Sequence, residues 1–131
     1  MSKALDLYIQ EHTKSKEKAS SFVEYLYVLM DKYGFQNASD LYNKANISRQ
    51  LWSSIISEKS NPSLNVCIKI VFTLKLTNAE CKMLLKKAGY TLASSSKYSL
   101  IIRYAIESKI YDIYKLNELL EEYGFVDSLI V

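Results

Sequence analysis

The stretch Ile47-Ser48-Arg49-Gln50-Leu51-Trp52-Ser53-Ser54-Ile55-Ile56 is the part of the sequence from which the fold is best predicted. A helix turns about 100° per residue, so this stretch has an apolar side made of Leu51, Trp52, Ile55 and Ile56. The opposite side carries Arg49, Gln50, Ser53, Ser54 and Ser57. Glu and Lys favour helices more than Ser does. A serine-rich face without an acid therefore indicates close approach to a partner rather than ordinary solvation.

The start of this helix is marked by its capping residues. Ser48 is a suitable N-cap, because a serine hydroxyl accepts a hydrogen bond from a backbone N–H in the first turn. Ile47 precedes the cap, and Trp52 is the fourth helical residue, so the two side chains are placed to form a hydrophobic staple. The helix is predicted to run from Ser48 to about Glu58.

Helical spacing of apolar residues continues on both sides of this stretch. It predicts helices near Leu5–His12, Ser21–Tyr33 and Asn37–Ala45, and others that begin near Ser63, Thr77, Lys97 and Asp112. The helix after Ser63 is apolar over most of its circumference and is expected to be central. The last helix is expected to turn Leu116, Leu120 and Tyr123 inward. No segment alternates convincingly as a strand would, so the predicted fold class is all-α, a compact bundle of about seven helices.

Residues that tolerate a left-handed backbone predict where several helices end. Gly34, Gly89 and Gly124 each follow a periodic apolar segment directly. Asn46 lies between two predicted helices and accepts a positive φ more readily than most residues. A tight connection is therefore expected at Asn46.

Composition and charge limit the classes of protein to consider. The chain has 131 residues, 49% of them hydrophobic, which suits one compact domain with a real core. No apolar run is long enough to span a membrane and the first residues lack a signal-peptide core, so a cytoplasmic protein without membrane contact is predicted. The net charge of +3 permits nucleic-acid binding, and basic residues outnumber acids between residues 66 and 110.

No pattern of residues indicates catalysis. His12 is the single histidine and lies near the chain start, so neither a triad nor a metal site is expected around it. Cys67 and Cys81 lack the close spacing of a metal or redox pair and are predicted to be small core residues. The run Ser94–Ser96 is interpreted as a loop and a helix cap. The prediction is a protein that is not an enzyme and that uses no cofactor and no metal.

The segment from Asn37 to Leu76 resembles the Cro/CI-type (XRE) helix-turn-helix family of DNA-binding proteins. The resemblance lies in a short helix, a tight turn, the helix from Ser48, the loop Lys59-Ser60-Asn61-Pro62-Ser63-Leu64 and the apolar helix that follows. It covers about a third of the chain. The family usually has Gln where this chain has Ala38 and a small residue where this chain has Tyr42. The first change removes one phosphate anchor, and the second is expected to widen or tilt the helix crossing.

The resemblance implies a role for each matching residue. Base edges in the major groove would be contacted by Arg49, Gln50 and Ser54, with Arg suited to guanine and Gln to adenine. Phosphate contacts, which fix the register without reading the sequence, would come from Asn37, Ser53, Lys59, Ser60 and Asn61. Trp52 and Ile55 would not contact DNA but would pack in the core and hold the helix in place.

The predicted organisation is a single compact unit. Residues 1–20 would form an N-terminal helix and polar connection, residues 21–76 the helix-turn-helix domain, and residues 77–131 a helical C-terminal extension packed on it. The extension is rich in Tyr and Ile, and two roles for it stay open, a homodimer interface and the closing of a larger monomeric core. The apolar tail after Gly124 favours burial or a partner contact.

Two hypotheses of function follow. The first is a sequence-specific transcription regulator of prokaryotic or phage type that binds double-stranded DNA through the helix Ser48–Glu58. The second is an adaptor or inhibitor that keeps the helix-turn-helix scaffold and binds a protein or RNA partner through its C-terminal half. Ala38, Tyr42 and the modest net charge motivate the second hypothesis.

Overall fold

The computed structural model describes residues 21–93 and 95–131 of the chain. The predicted N-terminal helix, with His12, and residue Ser94 lie outside this described part. Seven α-helices follow one another: α1 (Phe22–Lys32), α2 (Ala38–Lys44), α3 (Arg49–Ile56), α4 (Leu64–Leu74), α5 (Asn78–Lys87), α6 (Lys97–Glu107) and α7 (Ile113–Glu122). A short 3-10 helix, Val126–Ser128, follows α7.

The described residues form an all-helical bundle without a β-strand, as the sequence predicts. Within this part of the chain, no helix combines the length and the apolar character needed to cross a membrane. The helices are short, and all seven bury side chains in one shared core, from a single leucine on α2 to most of α4.

Most helices start with a side-chain cap that is visible in the sequence. The side chains of Ser21, Ser48, Ser63, Thr77, Ser96 and Asp112 all accept hydrogen bonds from backbone N–H groups in the first turn. Thr77 and Glu80 form the reciprocal capping box, in which each residue's side chain accepts from the other's backbone N–H. The predicted helix starts agree with these caps because capping depends only on neighbouring residues.

The helix ends depend on left-handed residues, some predicted and some not. Gly34, Gly89 and Gly124 have φ values of 78°, 90° and 87°. The aromatic residue after each glycine donates its N–H to a carbonyl five residues back at 2.8 Å, as in a Schellman motif. Three further helix ends use residues without this preference, namely Glu58, Lys75 and Lys109. These three left-handed positions were not predicted, because neither Glu nor Lys favours a positive φ.

Helix α4 is the centre of the core. Seven of its eleven residues are buried: Val66, Cys67, Ile68, Ile70, Val71, Phe72 and Leu74. Helices α2 and α5 both pack against α4, and α5 also packs against α1 and α6. The predicted central position of this helix is confirmed, and the extension after residue 76 shares the same core as the helices before it.

Two side chains predicted to face inward are exposed. Leu51 is 37% exposed, because the eight-residue helix α3 packs through Trp52 and Ile55 at the centre of its apolar side and leaves the edge uncovered. Tyr123 is 57% exposed. It is the C-cap of α7, where the backbone leaves the helix toward Gly124, so its side chain departs from the helical stripe.

A cluster around Glu80 joins the two halves of the protein. The carboxylate accepts hydrogen bonds from the Lys32 ammonium at 2.7 Å, from the Tyr33 hydroxyl, and from the backbone N–H of Thr77 at 3.0 Å. Burial alone would raise the pKa of Glu80, but hydrogen bonds from these three donors lower it to about 2. The capping residue of α5 therefore also holds the end of α1.

The C-terminal tail is held against α7 by one side chain. The amide of Asn117 donates to the Ile130 carbonyl at 2.7 Å and accepts from the Ile130 N–H at 2.7 Å. This pairing places the Ile130 side chain in the core, where it is 3% exposed. The tail is therefore anchored in the core through Ile130, while Val126 and Val131 stay 60% and 77% exposed.

Asn117→Ala is expected to lower the free energy of unfolding by about 1–3 kcal/mol, because it leaves the N–H and the carbonyl of Ile130 without partners. Urea denaturation followed by circular dichroism measures this loss. Asn43→Ala is the matched control, since Asn43 is an exposed asparagine on α2. Equal stability of Asn117→Ala and the wild type would contradict the role of this pairing.

Candidate nucleic-acid interface

Helices α2 and α3 are joined by a short, well-determined turn. Asn46 has a φ of 56°, and the N–H of Ile47 donates to the Tyr42 carbonyl at 2.8 Å. Ser48 then caps α3 by accepting from the Leu51 N–H at 3.1 Å. Ala45 and Ile47 are buried on either side of Asn46, so the turn is anchored in the core. The predicted left-handed connection at Asn46 is confirmed.

A lysine on α4 adds a contact to this turn that the sequence did not reveal. The Lys69 ammonium donates to the Asn46 carbonyl at 3.1 Å. Burial lowers the pKa of Lys69 below its ordinary value. The sequence could have suggested such a contact, because Lys69 stands between Ile68 and Ile70 on a largely apolar helix. Both isoleucines are fully buried, and a lysine in such a place needs a polar partner.

The crossing of α2 and α3 is filled by an aromatic pair. The ring centroids of Tyr42 and Trp52 lie 5.8 Å apart, with the planes inclined by 39°. Trp52 is 5% exposed, and Tyr42 is half-buried against the core. The large residue at this crossing therefore has a matching partner on α3, and the packing of that pair positions the helix.

The face of α3 turned away from Leu51 and Ile55 is exposed and polar. Arg49, Gln50 and Ser53 lie on this surface, and their side chains make no hydrogen bond or ion pair with any other described residue. The first turn of α3 contains no acidic residue. The partial positive charge at a helix N-terminus and the Arg49 guanidinium therefore favour an anion at this end.

Two predicted contact residues bind each other where α3 ends. The hydroxyls of Ser54 and Ser60 lie 2.6 Å apart, and the Ser54 carbonyl accepts from the N–H of Lys59 at 2.9 Å and of Ser60 at 3.1 Å. The Lys59 side chain is exposed. Glu58 is exposed beside it, with a φ of 62°, and adds a negative charge at this end of the face.

The loop after α3 is attached to the extension. The Asn61 amide donates to the Ala88 carbonyl at 2.9 Å, and the Tyr90 hydroxyl donates to the Pro62 carbonyl at 2.9 Å. Asn61, predicted to meet a phosphate, is thus engaged with the end of α5. The sequence contained no signal for this pairing, because Asn61 and Ala88 are 27 residues apart.

Asn37 lies at the other end of the helix pair, before α2. Its backbone is extended, with φ −110° and ψ 128°, and its side chain makes no capping hydrogen bond. The residue is exposed. Its amide is therefore not used to start the helix, unlike the side chains that cap the other helices.

No protein family, curated protein or solved structure matches this chain. The helix pair and its exposed polar face are therefore the observations from which a function is inferred.

Other kinds of site find little support in the described residues. Cys67 and Cys81 are buried free thiols, and burial raises the pKa of each to about 12, so both stay protonated at neutral pH. Within the described ranges, no three His, Cys, Asp or Glu side chains come together as a metal site would require. The predicted core role of both cysteines is confirmed.

Proposed function

We propose that this protein is a sequence-specific DNA-binding regulator of the Cro/CI-type helix-turn-helix class, with α3 as its recognition helix. The main observation behind the proposal is the exposed polar face of α3, which has no acid within Arg49–Ile56 and a single one, Glu58, beyond its C-terminal end. Arg49 and Gln50 point to solvent without partners among the described residues, while Trp52 and Ile55 fix the helix in the core. A rigid helix with free polar side chains suits direct reading of base edges.

The dimensions of α3 fit the proposed contact. The major groove of B-DNA is about 12 Å wide and admits an α-helix, which with its side chains is about 10–12 Å across. Arg49 and Gln50 form the N-terminal turn, the part of a recognition helix that reaches bases. Each bidentate contact to guanine or adenine contributes about 1–3 kcal/mol of discrimination.

The phosphate contacts divide into two groups. Asn37, Ser53 and Lys59 have exposed side chains that are free to meet the DNA backbone. Ser60 and Asn61 already make hydrogen bonds within the protein, so in this proposal they shape the loop that presents Lys59. Ser54 shares its hydroxyl with Ser60, and its remaining hydrogen-bonding capacity makes it a secondary base contact.

Selection of bound DNA from a random pool is the experiment that tests the proposal. Enrichment of one sequence, with affinity that falls as salt rises, is the expected result, because phosphate contacts release counterions. A palindrome among the enriched sequences would indicate a dimer on two half-sites. Absence of any enriched sequence would overturn the proposal.

A second candidate function rests on the surface of the extension. Several large apolar side chains there are exposed: Leu100, Tyr104, Tyr114, Tyr123 and Val126. Leu100 and Tyr104 are four residues apart and so share one face of α6. An adaptor or inhibitor that binds a protein or RNA through this half would use such a surface, as would a homodimer of the DNA-binding regulator.

Leu100→Glu and Tyr104→Glu are expected to convert a dimer to a monomer, because each places a charge within an apolar contact surface. Light scattering coupled to gel filtration measures the mass. Both positions are exposed, at 44% and 55%, so the fold should be retained. Val28→Glu is the control, since Val28 is 60% exposed on α1 and outside the extension. If the wild-type protein is monomeric at every protein concentration tested, the extension is not a homodimer interface.

A further inference from the structure

A cleft of about 580 Å³ opens between α5 and α6, and its lining includes none of the residues proposed to contact DNA. The segment Tyr90–Leu92 closes one wall. A volume of this size falls in the range that takes a small organic molecule. The cleft has two chemically distinct parts, an apolar interior and a basic rim.

The interior is apolar with one buried hydroxyl. Leu85 and Ile102 line it from the two helices, and Leu92 from the connecting segment. Ser99 is 6% exposed at the cleft, and its hydroxyl lies 2.6 Å from the Ser96 hydroxyl. Tyr90 contributes its ring, which is held in place because the hydroxyl donates to the Pro62 carbonyl at 2.9 Å.

Three positively charged side chains and no carboxylate line the cleft, although Glu107 lies beside one of them. Lys82 and Lys86 line it from α5, and Arg103 from α6. Neither lysine has an ion-pair partner among the described residues. Arg103 makes one long contact of 3.6 Å with Glu107, and both side chains are more than half exposed, so this pair is weak and easily exchanged for a ligand.

The geometry points to a binding site for a small organic anion with an apolar body, such as an aliphatic or aromatic carboxylate. The apolar interior would hold the body of the ligand, and Lys86 and Arg103 would hold its charge. Arg suits this role because its planar guanidinium can bind a carboxylate through two parallel hydrogen bonds.

The cleft is suited to binding rather than to reaction. Its lining includes no carboxylate and no imidazole. The Cys81 thiol, which also lines it, is 3% exposed and stays protonated because burial raises its pKa to about 12. This inference goes beyond the proposed DNA binding and is tested without DNA.

Titration calorimetry of the whole protein with 2-naphthoate and with octanoate tests this site. The neutral analogues 2-naphthamide and octanamide keep the apolar body and lack the charge, so they show how much of the binding depends on the charge. Lys86→Gln and Arg103→Gln remove the rim charges at exposed positions that the core does not need. Lys115→Gln is the control, since Lys115 is an exposed lysine on α7 outside the cleft.

Saturable binding of at least one carboxylate is expected, together with at least tenfold weaker binding of its neutral amide. Each rim variant should weaken carboxylate binding about tenfold, while Lys115→Gln leaves it unchanged. Amide-nitrogen NMR shifts should centre on Leu85, Leu92 and Ile102. Absence of binding, equal binding of carboxylate and amide, or equal affinity in the rim variants would overturn the proposal.

Discussion

Arg49→Ala and Gln50→Ala are each expected to weaken binding to the selected DNA sequence by about 1–3 kcal/mol, which is about fivefold to 150-fold. The reason is that each side chain would lose two hydrogen bonds to a base, while Trp52 and Ile55 keep α3 in place. Affinity for unrelated DNA should change much less for Gln50→Ala, since Gln50 carries no charge. Fluorescence-anisotropy titrations with the selected sequence and with unrelated DNA measure both affinities, and their ratio is the sequence preference.

Two further variants distinguish the loss of a base contact from the mere loss of a positive charge. Lys59→Ala should weaken binding to both DNA sequences similarly and reduce the dependence on salt, as expected for a phosphate contact. Lys115→Ala, on α7, also removes a positive charge but outside α3 and should leave the sequence preference unchanged. If Arg49→Ala and Gln50→Ala both keep full affinity and preference, α3 does not read DNA.

Glu80→Ala is expected to cause the largest loss of stability among single exposed or half-buried polar substitutions, about 2–4 kcal/mol. The substitution removes the acceptor shared by Lys32, Tyr33 and the Thr77 N–H, and hydrogen bonds to a charged group contribute more than neutral ones. Urea denaturation followed by the fluorescence of Trp52 measures it. Glu107→Ala is the control, because Glu107 forms only the exposed pair with Arg103 and should cost under about 0.5 kcal/mol.

The lowered pKa of Glu80 also makes the free energy of unfolding depend on pH. The pKa of Glu80 is about 2 in the folded protein, below the value of about 4.3 in an unfolded chain. Its contribution is therefore fully present above about pH 4.3 and is lost as the pH falls toward 2. Glu80→Ala should flatten the stability profile in this window. An identical slope in variant and wild type would show that the carboxylate does not stabilise the fold.

The starts of the helices and several of their ends could be predicted because the chemistry is local. Ser48, Thr77 and Asn46 act on backbone groups within a few residues, so the sequence alone contains the information. Helical spacing likewise identified the buried pair Trp52 and Ile55. Leu51 was predicted wrongly, because spacing gives the centre of an apolar stripe and not the width that the neighbouring helices cover.

Contacts between distant segments could not be predicted. Glu80 follows Thr77 at the local spacing of a capping box, but Lys32 lies 48 residues away and nothing in the sequence pairs it with Glu80. The same holds for Lys69 with Asn46 and for Asn61 with Ala88. At the candidate site, the free side chains of Arg49 and Gln50 agree with the helical face drawn from the sequence, whereas the engagement of Ser54 with Ser60 depends on how the loop folds back.

The attachment of the loop after α3 to Ala88 and Tyr90 has a consequence for modular engineering. A fragment cut at Leu76 would lose both partners of the loop, along with the Glu80 contact to α1. Because α6 and α7 share the same core, chimaeras that exchange recognition helices between scaffolds should keep residues 21–131 together. A shorter graft would leave the segment that presents Lys59 free to change its shape.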